Sequence, residues 1–196
     1  MNLIERVKNI LITPKKEWDV IAAKEEGHVT VLTSYLLILA LIPTIAAFIG
    51  WGFIGFKVAF IHVASIEFGI RYAAIQFITI IGGAYLTAVV LNELAPKFGG
   101  QKNFNKAFQL VAYCYTAICV AGILHILPSL GTIASLVGLY SLYLLYIGIK
   151  PMMTVPEDKV STYFWISLLV MVVVFFVIGL ILTPILGFSA TAAYHL

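Results

Sequence analysis

Few side chains in this chain could do chemistry. Gln76, Asn92, Glu93, Gln109 and His125 stand inside stretches otherwise made of hydrocarbon side chains. An amide, carboxylate or imidazole in lipid is expensive, so such residues mark solute pathways, proton relays or interhelical hydrogen bonds. Each also has a plain structural use. Glu93 is spaced i,i+4 from Lys97, as in an ion pair at a span end. Asn92 beside it can be solvated by headgroups. Gln76 is placed to bond a neighbouring helix, and Gln109 sits about a turn inside its segment. His125, close to Pro128, is expected to face interfacial water. There is no HExxH, GxSxG, Walker or GxGxxG motif. Four His and two Cys give no metal-ligand spacing. The expectation is a protein without enzyme activity, cofactor or metal. Cys114 and Cys119 read as two small buried hydrophobes, and Glu67 and Arg71 as a structural i,i+4 pair.

The elements that must position these residues follow from composition. Hydrophobic residues make up 62% of the 196, charged residues 11%, and the mean hydropathy is +1.04. Soluble domains run at roughly 45–50% apolar and about 25% charged. The solvent for most of this chain is therefore lipid. Segments of about 20 apolar residues are needed to cross roughly 30 Å of hydrocarbon. Five are present, over 29–53, 68–94, 104–127, 130–149 and 163–186. Backbone polar groups in lipid must pair within the segment, so these are helices, and no alternating pattern supports a barrel. The fold expected is an all-α integral membrane protein, a five-span transmembrane helix bundle with N-terminal amphipathic interfacial helices. Pro43 and Gly82-Gly83 are expected to kink or break the first and second spans. Ala46/Gly50, Ala84/Ala88, Ala117/Ala121 and Ala134/Gly138 are small-xxx-small pairs suited to close packing or a dimer seam. Residues 54–67 read as an interfacial helix, with an extension of the second span as the alternative.

Residues 1–27 form a separate unit in this reading. Leu3, Ile4, Val7, Ile10 and Leu11 recur at helical spacing, opposite Glu5, Arg6, Lys8 and Asn9. Thr13-Pro14 starts a second short helix carrying Trp18 and Ile21, with Gly27 as its stop. The pair is expected to lie in the cytoplasmic interface; a helical pair packed on the loops is the alternative. Nothing in these residues resembles a cleavable signal peptide. Residues 28–188 form the membrane domain and 189–196 a tail. Lysines and arginines fix the orientation. Arg6, Lys8, Lys15, Lys16 and Lys24 precede the first span; Lys97, Lys102 and Lys106 join the second to the third; Lys150 and Lys159 join the fourth to the fifth. All fall on one side, leaving Lys57 and Arg71 for the other. The positive-inside rule puts the N-terminus in the cytoplasm and the C-terminus outside. The net charge of +3 is dispersed, which argues against a nucleic-acid partner.

Several stretches taken together resemble the Yip domain family of Ypt/Rab-interacting membrane proteins, in its prokaryotic branch. They are Pro14-x-x-x-Trp18-x-x-Ile21, the run Gly99-Gly100-Gln101-Lys102-Asn103-Phe104, then Ala112-Tyr113, Pro128-Ser129-Leu130-Gly131, and Gly138-Leu139-Tyr140-Ser141. The family's usual proline after the Ala-Tyr motif is replaced by Ala117, and the Asp-Leu-Tyr-Gly-Pro signature of eukaryotic trafficking members is absent. The resemblance implies a five-span protein that self-associates, in a bacterial cytoplasmic membrane. It implies no defined activity and leaves a Rab-type GTPase out of the expected partners. The partners expected are the lipid bilayer, further copies of the chain and other membrane proteins. The function expected is a membrane scaffold, adaptor or membrane-organising factor. A small-solute or ion transporter or channel is the alternative, resting on Pro43, Gly82-Gly83 and the polar set.

Overall fold

The computed structural model describes the backbone of residues 2–58 and 61–185, and the side chains of these apart from 56–58, 61–63, 174 and 178–185. The tail 189–196, with His195, lies outside the described residues. Helix α1 (Leu3–Ile12) is capped by Asn2, whose side chain accepts from the Ile4 N–H at 3.3 Å. Helix α2 (Pro14–Ala22) opens on Pro14, whose fixed φ suits a first turn. Thr13 holds the cap position, but its hydroxyl donates back to the Asn9 carbonyl at 3.3 Å instead. Gly27 is not the stop of α2. The helix ends at Ala22, whose free carbonyl accepts from the ammonium of Lys106 at 2.5 Å, a cation placed where the helix dipole favours it.

The first crossing, His28–Ile54, is made of α3 (His28–Val31), a π-helical turn (Leu32–Leu36), α4 (Leu37–Ile49) and a second π-helical turn (Gly50–Ile54). Helix α4 runs unbroken through Pro43. After it, the expected interfacial helix over 54–67 is not formed. Gly55, at φ +63°, ends the helix in a conformation open to glycine. The chain then makes strands β1 (Phe56–Val58) and β2 (Ile61–Val63), antiparallel with Phe56 opposite Val63. β-branched Val58, Ile61 and Val63 suit extended backbone better than a helix.

Helix α5 (Ile66–Leu94) is continuous through Gly82-Gly83, so the expected break is absent. A side chain at Gly83 would stand 3.1 Å from the ring of Phe175 and 3.3 Å from the Tyr115 hydroxyl; the glycine serves packing. A 3-10 turn (Ala95–Phe98) closes on Gly99, whose φ is +80°. Helix α6 (Phe104–Ala121) is capped by Asn103, which accepts from the Lys106 N–H at 3.0 Å. Two 3-10 turns (Gly122–Ile126 and Pro128–Leu130) lead into α7 (Gly131–Gly138) and α8 (Tyr140–Met153). Thr154, left-handed at φ 52°, ends α8, and α9 (Glu157–Ile185) follows.

Among the described residues five helical segments are long and apolar enough to cross a membrane: His28–Ile54, Ile66–Phe98, Phe104–Ile126, Pro128–Met153 and Glu157–Val177. Helix α6 is the centre, packed by α4, α5 and α8. The small-xxx-small pairs work within the chain: Ala84 and Ala88 are fully buried, and a side chain at Gly50 would collide with the His125 carbonyl. Gly122 likewise seats Pro43. Helices α1 and α2 share this core through Ile10, Trp18 and Ile21.

Candidate functional site

The described residues most densely bonded across the fold lie where the α1–α2 hairpin meets the bundle. The segment between α2 and the first crossing is held by the opening of α6. Lys106 donates to the carbonyls of Ala22 and Lys24, the latter at 3.1 Å. Gln109 donates to the Lys24 carbonyl at 3.4 Å, and Asn103 donates to the Glu25 carboxylate at 3.0 Å. Asn105 accepts from the His28 backbone N–H at 3.0 Å and lies 2.8 Å from its imidazole. The run Asn103-Phe104-Asn105-Lys106 is thus a clamp, and Gln109 is its last member.

Inside the hairpin, Arg6 and Glu17 form an ion pair that is nearly fully buried. The Arg6 guanidinium also lies over the Tyr113 ring, 5.3 Å from its centroid. Tyr113 donates to Glu26 at 3.2 Å, and its ring packs edge-on against Tyr35 at 4.7 Å. The Tyr35 hydroxyl meets that of Thr116 at 2.6 Å. Trp18 is buried against Gly148, where a side chain would stand 2.7 Å from the indole. Tyr140 donates to the Leu11 carbonyl at 3.0 Å.

The sequence-marked residues divide between this seat and scattered places. Pro14, Trp18, Tyr113 and Tyr140 converge on the hairpin, with Ala112 buried beside Tyr113. Gly99 and Gly100 shape the adjoining loop: Gly100 donates to the Ala95 carbonyl at 2.9 Å, and a side chain there would stand 2.7 Å from the Met153 carbonyl. Pro128 and Gly131 lie away from the seat, opening a 3-10 turn and α7. Ser141 is buried with its hydroxyl unpartnered among the described residues. Of the five intramembrane candidates, Glu93 pairs with Lys102 at 2.5 Å and not with Lys97, because the loop after Gly99 folds back across the helix end. Asn92 donates to Glu93 at 3.2 Å. Gln76 is half-buried without a side-chain hydrogen bond to any described residue. The His125 ring is half-buried with Nδ1 enclosed and unpartnered among the described residues, where the segment Gly122–Ile126 packs on α4. Apart from Asn92 with Glu93, no hydrogen bond among the described residues links these five. Arg71 and Glu67 form the expected exposed pair at 2.5 Å.

Sequence reasoning missed Arg6, Glu17, Tyr35, Thr116 and Gly148. One signal was available: Arg6, assigned above to the polar side of α1, stands one turn from both Leu3 and Ile10 at the edge of the apolar stripe, and the structure buries it there with a partner, as a buried cation requires. A separate apolar cavity of about 350 Å³ lies among α5, α6, α8 and α9, with Thr87, Tyr115 and Ser141 as its polar lining residues. None of the five candidates lines it. Among curated proteins and among solved structures, nothing matches the chain. The model of the Yip1 domain matches residues 8–180, from within α1 to within α9. A match of that extent, over a five-span helical membrane fold, places the chain in the Yip1 domain family.

Proposed function

We propose that the protein is a membrane scaffold or adaptor, self-associating and organising the bilayer around it, in a bacterial cytoplasmic membrane. In this reading the N-terminus and its clamped hairpin face the cytoplasm, and the C-terminus lies outside. Residues 1–27, 28–188 and 189–196 are the cytoplasmic, membrane and tail portions. The observation that carries it is the use of the polar side chains. Arg6, Glu17, Lys106, Gln109 and Tyr113 are spent on holding the hairpin to the bundle rather than on lining a path. A second reading, a small-solute transporter or channel, is favoured by the cavity of about 350 Å³ among α5, α6, α8 and α9.

Two measurements separate them. Cross-linking in native membranes should trap copies of the chain or a stable membrane partner; a chain that always migrates alone removes the scaffold reading. In sealed liposomes, protons, mono- and divalent cations and small anions should show no protein-dependent flux. Flux that is lost in Thr87→Ala or Ser141→Ala, which line that cavity, would establish the transporter instead.

A further inference from the structure

Three contacts fix how the hairpin lies along α8. The Ala22 carbonyl is held by Lys106 at the opening of α6. Trp18 packs on Gly148, and the Leu11 carbonyl accepts from the Tyr140 hydroxyl at 3.0 Å. Between Gly148 and Tyr140 helix α8 rises about 12 Å, away from the loop end and toward the bilayer centre. The turn joining α1 to α2 is therefore the part of the hairpin that reaches furthest toward the membrane.

The start of the lipid-facing band can be read on the neighbouring helices. Helix α9 opens with Glu157, Asp158 and Lys159, all exposed, and then presents Trp165 at 62% exposure and Leu169 at 63%. Phe164 meets Tyr146 at 5.4 Å, and Tyr143 and Tyr146 are both exposed on α8. Exposed Trp and Tyr at one level form the interfacial belt. Tyr143 lies between Gly148 and Tyr140, so the hairpin crosses the level of that belt and its turn stands about 5 Å further toward the bilayer centre.

The chemistry of the turn suits this place. Ile12 is 67% exposed at its apex, on the outward face that also carries Ile4 at 71%. Lys15 and Lys16 flank it, both exposed, with Lys8 one turn back on the Ile12 side of α1. Among the described residues none of the three lysines forms an ion pair; Asp19, spaced i,i+4 from Lys15, does not close on it. We infer that the α1–α2 turn is a binding site for anionic phospholipid, Ile12 entering the acyl layer while Lys15 and Lys16 hold headgroup phosphates. This goes beyond the scaffold reading and does not depend on it, since a transporter could carry the same anchor. It also differs from a helix lying flat on its apolar face, because Ile10 of that face is buried against protein.

The test uses the full chain in bilayers of phosphatidylcholine with and without phosphatidylglycerol. A nitroxide on Ile12→Cys should collide with oxygen more than with a water-soluble nickel chelate, while one on Lys24→Cys should show the reverse. Native mass spectrometry should then find phosphatidylglycerol bound about tenfold or more weakly in Lys15→Gln/Lys16→Gln at low salt, each lysine near an anionic surface contributing roughly fivefold. Lys97→Gln/Lys159→Gln, at the same end but off the turn, removes the same charge and should lose clearly less binding than the pair on the turn. A label at 12 as nickel-accessible as that at 24, or lipid binding unmoved by the loss of Lys15 and Lys16, overturns the inference. Spin–spin broadening between labels on separate copies would overturn it too, assigning the turn to a self-interface.

Discussion

Helices α6 and α9 are both apolar enough to cross a membrane, yet 72% of an apolar 18-residue stretch of the third crossing is buried inside the protein and, among the described residues, only 29% of the matching stretch of the fifth. Their contents differ in kind. Helix α6 buries Ala107, Gln109, Ala112, Cys114, Thr116 and Ala117. Helix α9 turns Leu169, Val172 and Phe176 outward. Lipid tails are as apolar as leucine, so a large aliphatic side chain gains little by leaving them. Small residues gain close backbone approach, and polar ones gain hydrogen bonds. In α6 the small and polar residues are therefore gathered inside together with large ones such as Phe108 and Leu110, whereas the outward face of α9 is made of bulky apolar side chains.

The sharpest way to break that comparison is to remove the same ring from each helix. Phe108→Ala, at a fully buried position of α6, should cost about 2–3 kcal/mol, the cavity part of such a loss. Phe176→Ala, on the outward face of α9, should stay within about 0.5 kcal/mol. Unfolding in mixed micelles reads both, and equal losses would mean that α9 is buried in the working protein, against another copy. A comparable effect is expected where α1 meets α6. Arg6→Met leaves the Glu17 carboxylate buried without its partner, at about 3 kcal/mol. Arg6→Met/Glu17→Leu should recover most of that loss; a double variant no better than the single one would show that the guanidinium acts through the Tyr113 ring alone. The smallest effect is expected at Gln109. Its amide donates at a long 3.4 Å, and its Oε1 is unpartnered among the described residues. Gln109→Leu should therefore change stability by less than about 1 kcal/mol. A larger loss, or a loss of a transported solute's flux, would turn a clamp residue into a functional one.

The five crossings were legible because the lipid requirement acts on each segment alone: enough apolar length, and a backbone that bonds to itself. The helix start at Thr13-Pro14 and the exposed pair Glu67 and Arg71 were equally local. Residues 54–67 were misread because their apolar spacing fits a helix, while the deciding feature is a single glycine at positive φ. Gly82-Gly83 misled for the opposite reason. Glycine is permissive in an isolated helix, but here the rings of Phe175 and Tyr115 occupy the space that it leaves.

Composition and charge order by themselves determined a helical membrane protein and grouped its lysine-bearing segments on one side, since both follow from transfer of residues between water and lipid. Only the tertiary structure decided what the polar residues are for. Glu93 meets Lys102 rather than Lys97, Arg6 meets Glu17 beneath Tyr113, and Pro14, Trp18, Tyr113 and Tyr140 converge on one hairpin. Glu93 and Lys102, like Arg6 and Glu17, stand on either side of a turn, and Tyr113 and Tyr140 lie far along the chain from the hairpin. Which of them meet is set by helix packing over small residues, a matter of shape complementarity that hydropathy does not encode.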